Sequence, residues 1–300
     1  MSPHLIEIEA LAKEKSIPTI NSFEMIRWVF NKGGYLKELE ARGVPIVPTK
    51  TIGVQDELYL PDFLKEKKDG VVIKPSIAAK AFGLFFVRKI DETQFEVSVP
   101  CEKTKDEFPH LKKQILSAKE LQDYFQKYLY FHRNNETNKD QLILVQDYIE
   151  EKMEYSAVKV RGWPVYFIKR PVGENTNIAH AHFGGQDIYV HSPDNELKFF
   201  FQEVMEKLPD NIKDETIFRV DILNCPDKNL LLEIETASPR LFNTPELANN
   251  YYEYATTLAV VAKNSFLIFK EMNDRRTAIK KTLAPSLQVL PEILRNYILP

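Results

Sequence analysis

The stretch FRVDIL-NCPDKN-LLLEIE, residues 218–235, constrains this chain more than any other. It reads as a hairpin, two runs that alternate apolar and charged residues around a turn of Asn, Pro and Asp. Side chains alternate between faces along a strand. Arg219 and Asp221 therefore share one face, and so do Glu233 and Glu235. A turn centred on Asp227 sets Asp221 opposite Glu233 and Arg219 opposite Glu235, all on one side. Val220, Ile222, Leu230, Leu232 and Ile234 are then expected to face a core. Carboxylates gathered on one face repel one another. A divalent cation relieves this, and Mg²⁺ commonly takes a few carboxylates together with substrate phosphates. Arg219 is placed to neutralise a carboxylate or to reach a phosphoryl oxygen. The alternative is a solvated acidic hairpin face with a surface Arg–Glu pair.

Two further segments suit a nucleotide. In GVVIKPS, Lys74 ends an apolar strand before a proline. From there it projects onto a phosphate as a point charge, or is a plain surface lysine at a strand end. The small-residue loop from Ser76 to Gly83 lets backbone N–H groups approach phosphates, although it holds one glycine only. QLILVQDYI is an apolar strand ending in Gln146, Asp147, Tyr148 and Ile149. Such an exit reads a base edge with free backbone groups, or is only a strand exit. His180 and His182 share a strand face without an evident third ligand, which favours a polar or substrate-facing loop over a metal site.

Around these segments the chain alternates helical and extended patterns. Helical spacing runs from Leu5 to Lys15, and again from Phe23 after a Ser22 cap, with Gly33-Gly34 interrupting or ending that helix. YLKELEARG is a further helical turn closed by Gly43. Strands are expected over DGVVIKPS, FGLFFVRKI and Gln94 to Val99, then a helix around Ala118 to Tyr130. EYSAVKV and PVYFIKR form a hairpin across Arg161-Gly162-Trp163. A helix follows from Glu196 to Leu208, and a long one from Leu247 to Phe269. Strands grouped into hairpins, with helices between, indicate an α+β protein of two lobes.

Taken in order, Asn31-Lys32, VVIKPS, VQDYI, EYS, IKRP, FGG, RVD and LLLEIE resemble the ATP-grasp superfamily. The likeness is greatest to its glutathione-synthetase-like and D-cycloserine-synthetase-like ligases. It covers about Asn21 to Phe242, and rests on order and spacing rather than on one motif. The resemblance implies an ATP-grasp fold, two lobes with mostly antiparallel sheets gripping ATP between them. It divides the chain into a remnant or linker (1–22), an N-terminal lobe (23–148), a C-terminal lobe with the metal site (149–274) and a helix and tail (275–300). By analogy Lys32 and Lys74 contact phosphates, Gln146, Asp147, Tyr148 and Ile149 form the hinge around adenine, and Glu154 also binds nucleotide. Asp221, Glu233 and Glu235 hold Mg²⁺, with Mn²⁺ an alternative; many relatives have asparagine at the position of Glu235. Lys169 and Arg219 serve the reacting groups.

The implied activity is an ATP- and Mg²⁺-dependent ligase. It activates a small-molecule or peptide carboxylate as an acyl-phosphate for attack by an amine or similar nucleophile. The alternative is a non-catalytic nucleotide-binding protein with a regulatory or scaffolding role, or a plain interaction protein. Relatives carry a Rossmann-like domain before this region, of which only a last helix is expected here. A partner is one way to supply the remainder. The net charge of −3 argues against a nucleic-acid partner. No apolar run reaches the roughly 20 residues of a membrane span. Cys101 and Cys225 form no CxxC pattern and read as free thiols of a cytoplasmic protein.

Overall fold

A computed structural model describes residues 3–16, 19, 21–77, 83–101, 110–133, 142–150, 152–160, 165–172, 186–215 and 217–236. Helix α1 (Pro3–Glu14) occupies the place expected from the N-terminal apolar spacing and belongs to a compact unit separate from the other elements. The helix expected over Leu247 to Phe269, the C-terminal tail, His180, His182 and most of the loop after Ser76 lie outside the described residues.

The remaining elements build two sheets. Chain order is α2 (Phe23–Phe30), α3 (Lys32–Ala41), β1 (Thr49–Gly53), α4 (Leu60–Lys65), β2 (Val71–Pro75), β3 (Phe85–Lys89), β4 (Gln94–Cys101), β5 (His110–Ser117), α5 (Ala118–Arg133) and β6 (Leu142–Asp147). Then come β7 (Met153–Val160), β8 (Tyr166–Arg170), β9 (Ile188–Val190), α6 (Asn195–Lys207), α7 (Asp210–Lys213), β10 (Ile217–Asn224) and β11 (Asn229–Glu235). Among the described residues the first sheet has six strands in the order β1-β6-β2-β3-β4-β5. The second has five described strands, in the order β11-β10-β7-β8-β9. Every pairing between these strands is antiparallel.

Each sheet covers one face with helices. Ile73, Val87, Val97 and Val145 pack with Leu60, Leu64, Leu121 and Phe125 of α4 and α5. Ala157, Phe167, Val220, Ile222, Leu231 and Ile234 pack with α2, α3 and α6 through Met25, Val29, Leu36, Leu39, Phe200 and Val204. On the opposite face the second sheet carries Glu154, Arg170, Arg219, Asp221, Glu233 and Glu235.

Helix α2 starts where the sequence places it, with the Ser22 hydroxyl accepting from the Met25 amide at 3.0 Å. It does not end at the glycines. Asn31 closes α2 and caps α3, its side chain accepting from Gly34 N at 3.2 Å. Gly33 and Gly34 form the first turn of α3 instead. A Cβ on Gly33 would lie 2.9 Å from Thr51 Cγ2 and 3.2 Å from Leu142 Cδ1, so the missing side chain lets α3 approach β1 and β6.

Between α3 and β1 the chain runs along β11. Val47 N donates to Leu231 O at 3.0 Å and Leu231 N to Pro45 O at 2.8 Å, before the chain crosses to the first sheet. The return crossing, from β6 to β7, lies beside it, with Asp147 N donating to Pro48 O at 2.9 Å. Strand β5 has no counterpart in the sequence reading. It is an edge strand in which Lys112, Lys113, Gln114 and Ile115 are all exposed, so alternation does not mark it.

Candidate active site

The acidic hairpin forms as β10 and β11, with Asp221 opposite Glu233 and Arg219 opposite Glu235. Its turn is shifted, however. Asn224 pairs with Asn229 and Ile222 with Leu231, and the register then changes between Ile222 and Asp221. Leu232 is the extra residue, a β-bulge in which two residues of β11 face one of β10. The core side therefore holds Leu231 and Ile234 with Val220 and Ile222, rather than Leu230 and Leu232. Leu230 and Leu232 pack with Val47, Leu223, Ile149 and Cys225. One face of the hairpin thus carries an apolar patch beside its acids.

Each acid on that face meets a cation. Arg219 grips Asp221 with two parallel bonds, Nε to Oδ1 at 2.9 Å and Nη2 to Oδ2 at 2.8 Å. Asp221 Oδ1 also accepts from Ser156 Oγ at 2.6 Å, across the β7–β10 pairing. Arg170 Nη1 lies 3.7 Å from Asp221 and 3.8 Å from Glu154, while its Nε is 3.2 Å from Asp187. Lys32 Nζ donates to Glu233 Oε2 at 2.6 Å and lies 3.7 Å from Glu235 Oε1.

Protonation follows from this crowding. Burial alone would raise the Glu233 carboxyl, but Lys32 and Lys74 outweigh it and hold the group well below the carboxylate range. Glu235 has no such excess of cations, and burial with the Glu233 charge pushes it up to about 7. Glu154 is pushed up to about 8, by burial and then by Asp221, against the pull of Arg170. For Lys32, Glu233 and Glu235 overcome burial and raise the ammonium. Burial lowers Lys74, which reaches the cluster from β2 and is only partly held up by Glu233.

The expected site residues divide into three groups. Lys32, Lys74, Glu154, Arg219, Asp221, Glu233 and Glu235 are brought into one electrostatic cluster. Gln146, Asp147, Tyr148 and Ile149 lie at the crossing between the sheets. There Gln146 Nε2 donates to Thr49 Oγ1 at 2.8 Å, and Asp147 pairs with Lys67 at 2.7 Å. Tyr148 is buried against Phe86, with Lys152 Nζ 4.0 Å above its ring. Lys169 stands apart. It pairs with Tyr155, whereas its neighbour Arg170 pairs with Glu154 and points to the acids. Sequence reasoning missed Arg170. A hairpin centred on Gly162 sets Glu154 opposite Arg170, so the register argument used for the acids contains the signal.

Among the described residues, no three Asp, Glu, His or Cys side chains form a ready-made metal site. The donor chemistry fits a hard divalent ion at a pair. Glu233 and Glu235 project from one face of β11, are 19% and 23% exposed, and share one ammonium. The raised Glu235 marks a local shortage of positive charge. Asp221 has both oxygens engaged and joins such a pair only by loosening its bonds to Arg219.

No protein-family model matches the chain, and no curated protein matches it in sequence. Solved structures match its fold. D-alanine–D-alanine ligase from Bacillus anthracis, complexed with ATP, superposes with a TM-score of 0.56 at 15% identity, over 88% of this chain and 76% of that one. D-alanyl-alanine synthetase A from Vibrio cholerae gives 0.57 at 13%, over 86% and 72%. The RimK domain protein ATP-grasp from Sphaerobacter thermophilus gives 0.51 at 12%, over 88% and 77%. With two antiparallel sheets joined in this order and these structures alongside, the chain has the ATP-grasp fold.

Proposed function

We propose that the protein is an ATP- and Mg²⁺-dependent ligase that activates a carboxylate as an acyl-phosphate for attack by an amine or similar nucleophile. The observation that carries this reading is the hairpin face on which an apolar patch of Leu223, Leu230 and Leu232 adjoins Glu233, Glu235 and Lys32. A nucleotide has the matching polarity, a flat base at one end and a polyanion at the other. The ATP-complexed ligase of the same fold supports it.

In this reading Val47, Ile149, Leu223 and Leu232 bury the base, and the polyphosphate lies toward Lys32 and Lys74. Lys74 suits the task because its partial burial weakens its hydration, so an incoming phosphate gains a strong partner. Glu233 and Glu235 hold Mg²⁺, which neutralises phosphate charge when bound. Arg219 is fixed by Asp221 through Nε and Nη2, and turns its remaining nitrogen, Nη1, to the transferring phosphoryl group. Arg170 adds a second guanidinium on the same face. Fixed cations of this kind stabilise charge that develops in the transition state without reorganising. The substrate carboxylate attacks the terminal phosphorus and ADP departs. The nucleophile then displaces phosphate from the acyl carbon.

Thermal unfolding with and without Mg-ATP tests the site. Wild type is expected to be stabilised and Asp221→Asn much less so; no shift in wild type sinks the reading. Phosphate release with a panel of amino acids and peptides then tests turnover. ADP formation that no acceptor stimulates would leave nucleotide binding without ligation.

A further inference from the structure

Lys32 occupies the place where the acid pair would meet a metal. Its Nζ is 2.6 Å from Glu233 Oε2 and 3.7 Å from Glu235 Oε1, and only 10% of its side chain is exposed. The helix that carries it is fixed on both sides. Gly33 packs against Thr51 and Leu142, and Tyr35 accepts the Ile234 amide proton at 2.9 Å. Lys32 is therefore held on the acids by the backbone of α3 as well as by charge. Asp221 has its own cation in Arg219. Lys32 is thus already seated between the two glutamates before any ion arrives.

We infer that Lys32 is a specificity device: it makes the acid pair a site for a metal–polyphosphate chelate and a poor site for the free divalent ion. The inference rests on the nucleotide reading above. A free ion competes with an ammonium that has nowhere better to go, because expelling it leaves a largely buried charge without a partner. A metal–polyphosphate chelate brings the replacement partner with it. Its phosphate oxygens accept the Lys32 N–H groups as its metal takes Glu233 and Glu235. The exchange keeps every charge paired, so metal and polyphosphate enter together.

The prediction runs against ordinary loss of function. Removing the Lys32 charge tightens binding of the free metal and weakens binding of the nucleotide. Mn²⁺ is titrated into nucleotide-free protein near pH 8 and followed by its electron paramagnetic resonance. Lys32→Met and Lys32→Gln are expected to bind Mn²⁺ at least about tenfold more tightly than wild type, a difference of about 1.4 kcal/mol. Lys32→Arg, which keeps the charge, should resemble wild type. Unchanged or weaker Mn²⁺ binding in both neutral variants overturns the inference, even where Mg-ATP still stabilises wild type and the nucleotide reading stands. Failure of Mg-ATP to stabilise wild type, with no Mn²⁺ bound by any protein, overturns both. A second measurement needs no variant. Amine acetylation of wild type, read by mass spectrometry, should leave Lys32 protected and expose it when saturating Mn²⁺ is added alone. Protection that persists with Mn²⁺ bound overturns the inference.

Discussion

The phenol oxygen of Tyr35 accepts the amide proton of Ile234 at 2.9 Å, at the residue between Glu233 and Glu235. On the outer side of β11 the 45–47 segment bonds Leu231, and farther along the strand Tyr35 takes the Ile234 amide. Tyr35 is fully buried and stacks on Trp28 at 4.8 Å, whose indole N–H is in turn held by Glu38 at 2.9 Å. Tyr35→Phe keeps the ring and removes the acceptor. It should cost about 1–3 kcal/mol, the penalty for a buried N–H left unpaired. Urea unfolding should show a lower midpoint with an unchanged slope. A midpoint equal to that of wild type would mean that the bond contributes nothing to holding the acids.

Adjacent residues Lys169 and Arg170 should behave very differently. Arg170 is 5% exposed and lies within 4 Å of Glu154, Asp187 and Asp221. Arg170→Met leaves those acids without it, and breaking a buried pair from one side costs about 3–5 kcal/mol. Lys169→Met, on the other face, should stay within about 0.5 kcal/mol of wild type. Thermal unfolding of the two variants decides the matter. Equal losses would contradict the facing assigned to β8.

Stability without nucleotide should fall as pH rises. Glu154 and Glu235 titrate at about 8 and about 7 in the folded protein. In the unfolded chain glutamate titrates near about 4.3. Between these values the folded state binds more protons, so stability is greatest below the unfolded value and is lost as pH rises through the folded ones. Glu233 is shifted the other way, and its contribution is lost only as pH falls through the ordinary carboxylate range and below. From about pH 5 to about pH 7 the melting temperature should therefore decline, and Glu154→Gln should flatten the slope. A flat profile in wild type would argue that the two carboxyls are solvated.

Much of this site was legible because charged residues spaced by two on apolar strands admit few arrangements. The sequence reading paired Asp221 with Glu233 and Arg219 with Glu235, and the structure has the same pairs. It reached them through a turn centred half a residue too far along, and the bulge made up the difference. Three leucines in a row at 230–232 look alike to a hydrophobic pattern, so nothing in it marked Leu232 as the extra one. Lys169 and Arg170 posed a similar ambiguity, since two adjacent cations always offer one to each face and only the cross-strand register chooses. The two glycines at 33 and 34 read as a break because glycine destabilises helices. Their close packing on β1, β6 and the Asn31 cap depends on contacts distant in sequence or on side-chain placement.

The bulge separates length from content in β11. A regular ladder continuing from the turn would bring the residue after Leu231 opposite Asp221, and that residue would be Glu233 if Leu232 were absent. Leu232 is accordingly a position where the strand tolerates a deletion without a change of frame. Every remaining side chain keeps its side and every acid keeps its opposite number. Because residues 230–232 are all leucine, losing any one of them gives the same shortened strand, whereas losing Glu233, Ile234 or Glu235 removes an acid or the core residue between the two. A single-codon deletion therefore removes one wall of the apolar patch while sparing the charged cluster, which no substitution at 233 or 235 can do.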